Sequence, residues 1–572
     1  MKKGTYVLII FLIFFVLIIA VAASLFFIEV AQPVAVKPNT YLEMPLSGPL
    51  DEHPVSDMVT DYFFGGNALS LHDIWVNFHK AKADGKIKGV ILRIGHLSCD
   101  WAKINEIRSL VLDFKKSGKT TVAYISETMD FDKEYYLATA CDHIFLHPLG
   151  SLIINGIGGH FLFLRGALDK LGIEVEVERV DEFKTAYNMF TEEKFSPSHK
   201  EMMASLYNDI FDLYIASIAE ARGKTEEEVH ELIDQGVFTG EKAKELDLVD
   251  ALLYEDELED FLKGGSSHIY RISHAQYLKS KTKSSGLTRG RKIALIYGVG
   301  PIHTGESIKG KSMGSSTIAR WLQSIRQDSS IAAVVFRIDS PGGSAVASDI
   351  IGREVVLTKK QKPFIVSMSD MAGSGGYWVA MDAHKIVAHP QTLTGSIGVI
   401  FGKFNMMKLY KRLGISSEKL TFGRKADMFS TFRKLTPEEK DLMKEQILWS
   451  YDRFITKVAV GRNMTKEEVD KVGKGRVWTG NQAKELGLVD ELGDLSKAFI
   501  LAKEIAGIPE SESVKLVVWP KKASFWKSIF TNPFAGIKAI SNRTLDRWLQ
   551  MFRIFEKAGV LAVMPCIFTT PE

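Results

Sequence analysis

Cysteine is scarce here: Cys99, Cys141 and Cys566 are the only three in 572 residues, and no two form a C-x-x-C pair. Neither a disulfide framework nor a zinc site follows, although a single Cys99–Cys141 bridge stays open. Net charge is scarce as well, +3 from 72 basic and 69 acidic side chains. A nucleic-acid partner needs a concentrated basic face and is not expected. There is no H-E-x-x-H and no dense cluster of histidine, cysteine and carboxylate. The chain is therefore expected to work without a metal and without a cofactor.

What is present is ordinary globular material, 46% apolar and 25% charged, long enough for two or three domains. The N-terminus differs. Lys2 and Lys3 precede an uncharged run from Tyr6 to Ile28, and at about 1.5 Å per residue a helix of that length crosses a hydrocarbon core of roughly 30 Å. Residues 1–30 are predicted to be a transmembrane anchor. Ala20-Val21-Ala22 offers a small-x-small cleavage site, but apolar sequence continues through Ile28, which favours an uncleaved anchor. Lysines on the short N-terminal side orient that end to the cytoplasm and put the remainder outside it.

The rest of the chain repeats itself. "KEYYLATACDHIFLHP" from Lys133 matches "GGYWVAMDAHKIVAHP" from Gly375, and "VFTGEKAKELDLVDAL" from Val237 matches "VWTGNQAKELGLVDEL" from Val477. "VILRI" (Val90 to Ile94) answers "VVFRI" (Val334 to Ile338) in the same order, so the chain is a tandem duplication. Each half alternates short β-branched runs with longer amphipathic ones, the pattern of an α/β unit around a buried sheet. Each also holds a long helix, predicted to open at Pro197 and Pro437 after Ser or Thr. The expected organisation is a first repeat at 40–277, a linker at 278–291 that is basic and rich in Ser and Gly, a second repeat at 292–510, and an extension at 511–572.

One serine stands out. Ser374 in "SDMAGSGGYWVA" lies between Gly373 and Gly375, after an apolar strand-like run and before a helix-like one. Glycine there lets a carbonyl approach the unpaired N–H groups of a helix start, so Gly375 N–H and Gly342 N–H, the latter from "SPGGS", are candidate oxyanion donors. Ser340, Ser344 and Ser396 are rival nucleophiles, but only Ser374 combines flanking glycines with an immediately following helix. Its counterpart in the first repeat is Asp132, and "HLSC" stands there for "SPGG", so only the second repeat keeps both glycine loops. A hydroxyl needs an adjacent base. The local sequence offers none.

"IDSPGGS", "SDMAGSGGYWVA", "TGSIGVI" and the duplicated "TG-x-x-A-K-E-L-x-L-V-D" together resemble the signal peptide peptidase A (protease IV) family in its long, two-repeat, membrane-anchored form, from about residue 40 to 510. The resemblance implies a fold like the Clp protease proteolytic subunit and crotonase, and a serine/lysine dyad with the lysine from the first repeat and the serine from the second. It implies Ser374 as nucleophile, Lys184 of "VDEFKTAYNMF" as base, and Ser396 of "TGSIG" as the residue that orients the lysine. Phe183 and Thr185 stand where the family motif has tyrosine and serine. Lys425 of "FGRKADM" remains a rival base, because the repeats differ by two residues in length across this region. Lysine serves as a base only when neutral, and at a free value near 10.4 only about a thousandth or less is neutral at pH 7. Burial must lower that value, and Asp181 and Glu182 must point away.

The resemblance further implies cleaved signal peptides and other apolar peptides as substrates, a membrane setting on the outer face of a bacterial inner membrane, and a tetrameric homo-oligomer. A crotonase-like acyl-CoA enzyme would share the oxyanion loops without needing the serine, and a non-catalytic membrane scaffold would keep only the fold. In the C-terminal extension, Leu545, Trp548, Leu549, Phe552 and Phe555 recur at helical spacing with basic residues between them. That stripe suits either a membrane surface or packing on the protein itself.

Overall fold

The computed structural model describes residue 14 and residues 34–54, 69–126, 129–130, 132–266, 268–280, 286–521 and 561–564. The run Tyr6–Ile28, apart from residue 14, and the helical stripe at 545–555 lie outside the described residues. Among the described residues, no helix is long and apolar enough to cross a membrane.

The duplication read from the sequence is a duplication of topology. In the first repeat six parallel strands lie in the order Tyr270–Ser273, Thr40–Pro49, Ile87–Ser98, Thr120–Ile125, His143–Leu146 and Ala251–Leu252. In the second, Val514–Trp519, Arg291–Val299, Ile331–Ser340, Phe364–Gly373, Lys385–Ala388 and Glu491–Leu492 follow the same order, again parallel. Side-chain bonds recur with it. Tyr135 and Tyr377 donate to the carbonyls of Leu248 and Leu488 at 2.8 and 2.9 Å, and Arg222 and Arg462 pair with Asp250 and Asp490 at 3.0 and 2.9 Å. The boundary expected after Glu510 moves, because Val514–Trp519 is the edge strand of the second sheet and the counterpart of Tyr270–Ser273.

Parallel strands covered on both faces are continuous apolar runs, and their alternation decides what each face meets. Along Arg291–Val299, Ile293, Leu295 and Tyr297 join the core of the first repeat, whereas Ala294 and Ile296 face the core of the second. The repeats therefore share one packed interface. The two long helices, Pro197–Arg222 and Pro437–Arg462, start with proline after Ser196 and Thr436, whose hydroxyls accept from the N–H groups of His199 and Glu439. Cys99 and Cys141 are free thiols, so the bridge left open by the sequence is not formed.

Charges are also buried where the repeats meet. Arg337, in the middle of the apolar strand Ile331–Ser340, pairs with Glu52 and Glu106 of the first repeat, both at 2.9 Å. Lys103 of the first repeat lies 2.8 Å from Asp339 and 3.5 Å from Asp370 of the second. Burial alone would raise the Glu106 carboxyl, but Arg337 and His389 hold it down at about 2. Asp370 moves the other way: burial, with Asp100 and Asp339 adding to it against Lys103, pushes it up to about 7. Glu52, Asp339 and Asp370 crowd one ammonium group, so a proton retained on Asp370 relieves the excess of negative charge.

Candidate active site

Ser374 ends the strand Phe364–Gly373 and starts the helix Gly375–Ala380 with φ 54° and ψ −110°. A residue with a Cβ rarely adopts positive φ, and such a turn projects the side chain out of the strand-to-helix corner. Its N–H donates to Gly395 O at 2.8 Å, which ties the turn to the strand Leu393–Gly395. Ser396, next in sequence, also has positive φ, 49°, and donates its N–H to Arg476 O at 2.7 Å.

Lys184 arrives from the first repeat, on the irregular segment between the strand Glu174–Arg179 and the short helix Asn188–Thr191. That strand pairs antiparallel with Ile400–Asn405 of the second repeat over six residues, from Glu174↔Asn405 to Arg179↔Ile400, and so fixes where the lysine enters. Glycines make room for it. A Cβ on Gly475 would stand 2.6 Å from Lys184 Cβ, and one on Gly398 would stand 3.3 Å from Lys184 Cδ.

The lysine Nζ lies 2.7 Å from Ser374 Oγ and 2.9 Å from both the carbonyl oxygen and the hydroxyl of Ser396. Lys184, Ser374 and Ser396 are all fully buried. Burial lowers the lysine well below its ordinary value, and among the described residues no carboxylate opposes the shift. Asp181 instead faces Lys474 at 3.7 Å. The hydrogen bonds fit a neutral amine. Ser396 O can only accept, and Ser396 Oγ donates to Gly475 O at 3.3 Å and so accepts from the lysine. Two N–H groups are thereby used, and in a neutral amine the lone pair then points to Ser374 Oγ, 2.7 Å away, whose hydroxyl must turn from Gly398 O, 3.3 Å away, to reach it.

The other sequence candidates are accounted for separately. Ser340 donates to Gly300 O at 2.7 Å, and Ser344 accepts from Ala347 N–H at 3.3 Å as a helix cap. Lys425 is in contact with Glu438 at 2.8 Å, with its side chain 40% exposed, and lies outside the site. Gly375 N–H has no acceptor among the described residues, as befits the first amide of a helix. Gly342 departs from expectation: its N–H donates to Ser340 Oγ at 3.2 Å. The next nitrogen of the loop is close to Gly375 as well, since Gly343 N lies 3.1 Å from where a Gly375 Cβ would be. Sequence reasoning missed the Lys103 and Arg337 network beneath the loops. The signal available was a basic residue inside an apolar strand.

A buried hydroxyl 2.7 Å from a buried amine, beside an open helix-start amide, can lose its proton locally and attack a carbonyl once it turns to that amine. That is the equipment of a serine hydrolase.

The model of "Peptidase family S49" matches residues 113–266 and 357–508, once in each repeat. The chain is 37% identical over 542 residues to the chloroplastic serine protease SPPA of Arabidopsis thaliana, covering 92% of this chain and 78% of that one. It is 34% identical over 458 residues to protease 4 of Salmonella typhi, covering 77% and 73%. To protease 4 of Haemophilus influenzae it is 31% identical over 463 residues, covering 78% and 75%. The chain belongs to peptidase family S49. It is a serine peptidase built as a tandem α/β duplication, and the acyl-CoA and scaffold readings are not favoured.

Proposed function

We propose that this peptidase is a membrane-bound endopeptidase that degrades cleaved signal peptides and other apolar peptides, with Ser374 as nucleophile and Lys184 as general base. The 2.7 Å approach of Lys184 Nζ to Ser374 Oγ carries the reading. Ser396 holds the two N–H groups of the lysine and so aims its lone pair. As Ser374 Oγ attacks the peptide carbonyl, its proton passes to Lys184 and the developing oxyanion meets Gly375 N–H together with an amide of the 342–343 loop. The lysine returns the proton to the leaving amine, which frees the acyl-enzyme. Water then gives a proton to the same lysine and attacks the ester; as the bond from the acyl carbon to Oγ breaks, the lysine passes that proton to Ser374 Oγ, and the acid product leaves serine and neutral lysine restored.

Residues 1–30 anchor the chain in the inner membrane with the N-terminus cytoplasmic, the repeats stand on the outer side, and copies assemble as a tetramer. The uncharged run Tyr6–Ile28 behind Lys2 and Lys3 supports the anchor. Purified Ser374→Ala and Lys184→Ala proteins, assayed on an apolar peptide, test the dyad. Both are expected to lose turnover while staying folded, and turnover retained by either removes that residue from the chemistry.

A further inference from the structure

Leu561–Val563 is a strand whose neighbours belong to the site. It pairs antiparallel with Gly342–Ser344 on one side, in the register Gly342↔Val563, Gly343↔Ala562 and Ser344↔Leu561, and on the other side with the strand Ile400–Asn405 through Ile400↔Leu561. Met564 N–H donates to Pro341 O at 2.8 Å, so the alternation of an antiparallel ladder makes Gly343 and Ala562 the next hydrogen-bonded pair. Ala562 O consequently faces Gly343 N–H, and it lies 3.2 Å from where a Gly375 Cβ would be. A peptide carbonyl of this segment thus stands between the 342–343 loop and Gly375, the residue that follows Ser374.

The side chains alternate between two apolar pockets. Leu561 and Val563 pack with Leu168, Tyr187, Phe190 and Ile400. Met564 packs with Met202, Met203 and Leu206 from the long helix of the first repeat, and with Leu393 and Val477 from the second. Without the segment, two strand edges would face each other about 10 Å apart, a gap one strand wide beside the nucleophile. Edges of that kind accept an added strand through main-chain bonds, with specificity from the pockets for alternate side chains.

We propose that the chain's own C-terminal segment Leu561–Met564 is the resident occupant of the substrate groove, docked as a substrate strand and displaced by the peptides the enzyme cleaves. The proposal rests on the assignment of Ser374 as nucleophile. An occupant held in cis lowers the apparent affinity for substrate by the fraction of time the groove is free, and leaves turnover at saturation unchanged.

The test compares the rate of Ser374 acylation by a small fluorophosphonate in three proteins: the full chain, a chain ending at Val560, and the full chain carrying Leu561→Asp and Val563→Asp. Both altered proteins are expected to label at least about threefold faster than the full chain. A synthetic peptide of residues 558–566 is expected to slow labelling of the shortened chain, and KM for an apolar peptide to fall with little change in kcat. Equal labelling in all three proteins, with no effect of the peptide, overturns the proposal while leaving Ser374 as nucleophile. Absence of labelling in all three overturns the nucleophile assignment and this proposal with it.

Discussion

Asp132 accepts a hydrogen bond from the Tyr214 hydroxyl at 2.7 Å, at the position in the first repeat that Ser374 holds in the second. The same carboxylate accepts from Gly156 N–H at 3.1 Å and Asn155 N–H at 3.3 Å. Beside it, Lys133 donates to Cys99 O at 2.8 Å and Glu134 accepts from Leu97 N–H at 2.6 Å. Lys133 and Glu134 thus carry bonded side chains where the second repeat has Gly375 and Gly376.

Restoring the serine alone should therefore restore nothing. In a Ser374→Ala background, Asp132→Ser is expected to show no peptidase activity. Loss of its buried hydrogen bonds is expected to cost roughly 1–3 kcal/mol in urea unfolding. Recovered turnover would mean that the first site is only one residue from competence.

Replacing Lys184 with methionine keeps the volume and removes the amine. Peptidase activity is expected to fall by roughly 10²–10⁴-fold, the usual contribution of a general base. Stability should change in a definite direction. The folded value lies below the unfolded one, so the unfolded chain binds the extra proton and stability rises with pH between the folded value and 10.5. Thermal scans from pH 7 to 10 should show that slope in the parent and a shallower one in Lys184→Met.

Lys103→Met should destabilise the join between the repeats. It leaves Asp339 and Asp370 buried without their cation, and breaking such a pair costs about 3–5 kcal/mol. Both acids lie on strands that run on to Pro341 and to Ser374, so kcat should fall more than KM rises. A stable variant with parental kinetics would show that the network holds nothing in place.

Asp370 gives a pH dependence of opposite sign to that of Lys184. Its carboxyl is raised to about 7 by burial, so the folded state holds the proton more tightly than the unfolded. That contribution is full below about pH 4 and declines as pH rises towards 7. Asp370→Asn is expected to flatten the pH profile of the melting temperature in this window.

Gly342 has φ +93°, and a Cβ there would overlap Ala562 O and stand 2.6 Å from Gly375 N. Gly342→Ala is expected to lower kcat/KM by on the order of 10²–10³-fold, because its Cβ would push the Gly375 amide out of place and so cost an oxyanion donor, with the fold retained by circular dichroism.

Much of this was legible in the sequence because the duplication printed it twice. The recurring strings "ACDHIFLHP" and "DAHKIVAHP" became equivalent strands in equivalent sheets. The turn at Ser374 was legible from its glycines. Lys184 was not fixed by spacing, since Lys425 fitted as well; the pairing of Glu174–Arg179 with Ile400–Asn405 brings Lys184 to Ser374, and pairs 221 to 231 residues apart leave no local pattern. Glycine marks where a carbonyl can approach but not where its amide points, so the bond from Gly342 N–H to Ser340 Oγ was not legible. The strand Leu561–Val563 escaped notice because three residues carry no periodicity and its partners lie in both repeats.

The rate of Ser374 acylation measured against pH, in the parent and in Lys184→Met, tests the pairing of these two residues most directly. The expected result is a rise in rate through a midpoint well below 10.5 in the parent, and neither the rise nor appreciable labelling in the variant. Acylation of Lys184→Met at the parental rate and with the parental pH profile would contradict the pairing.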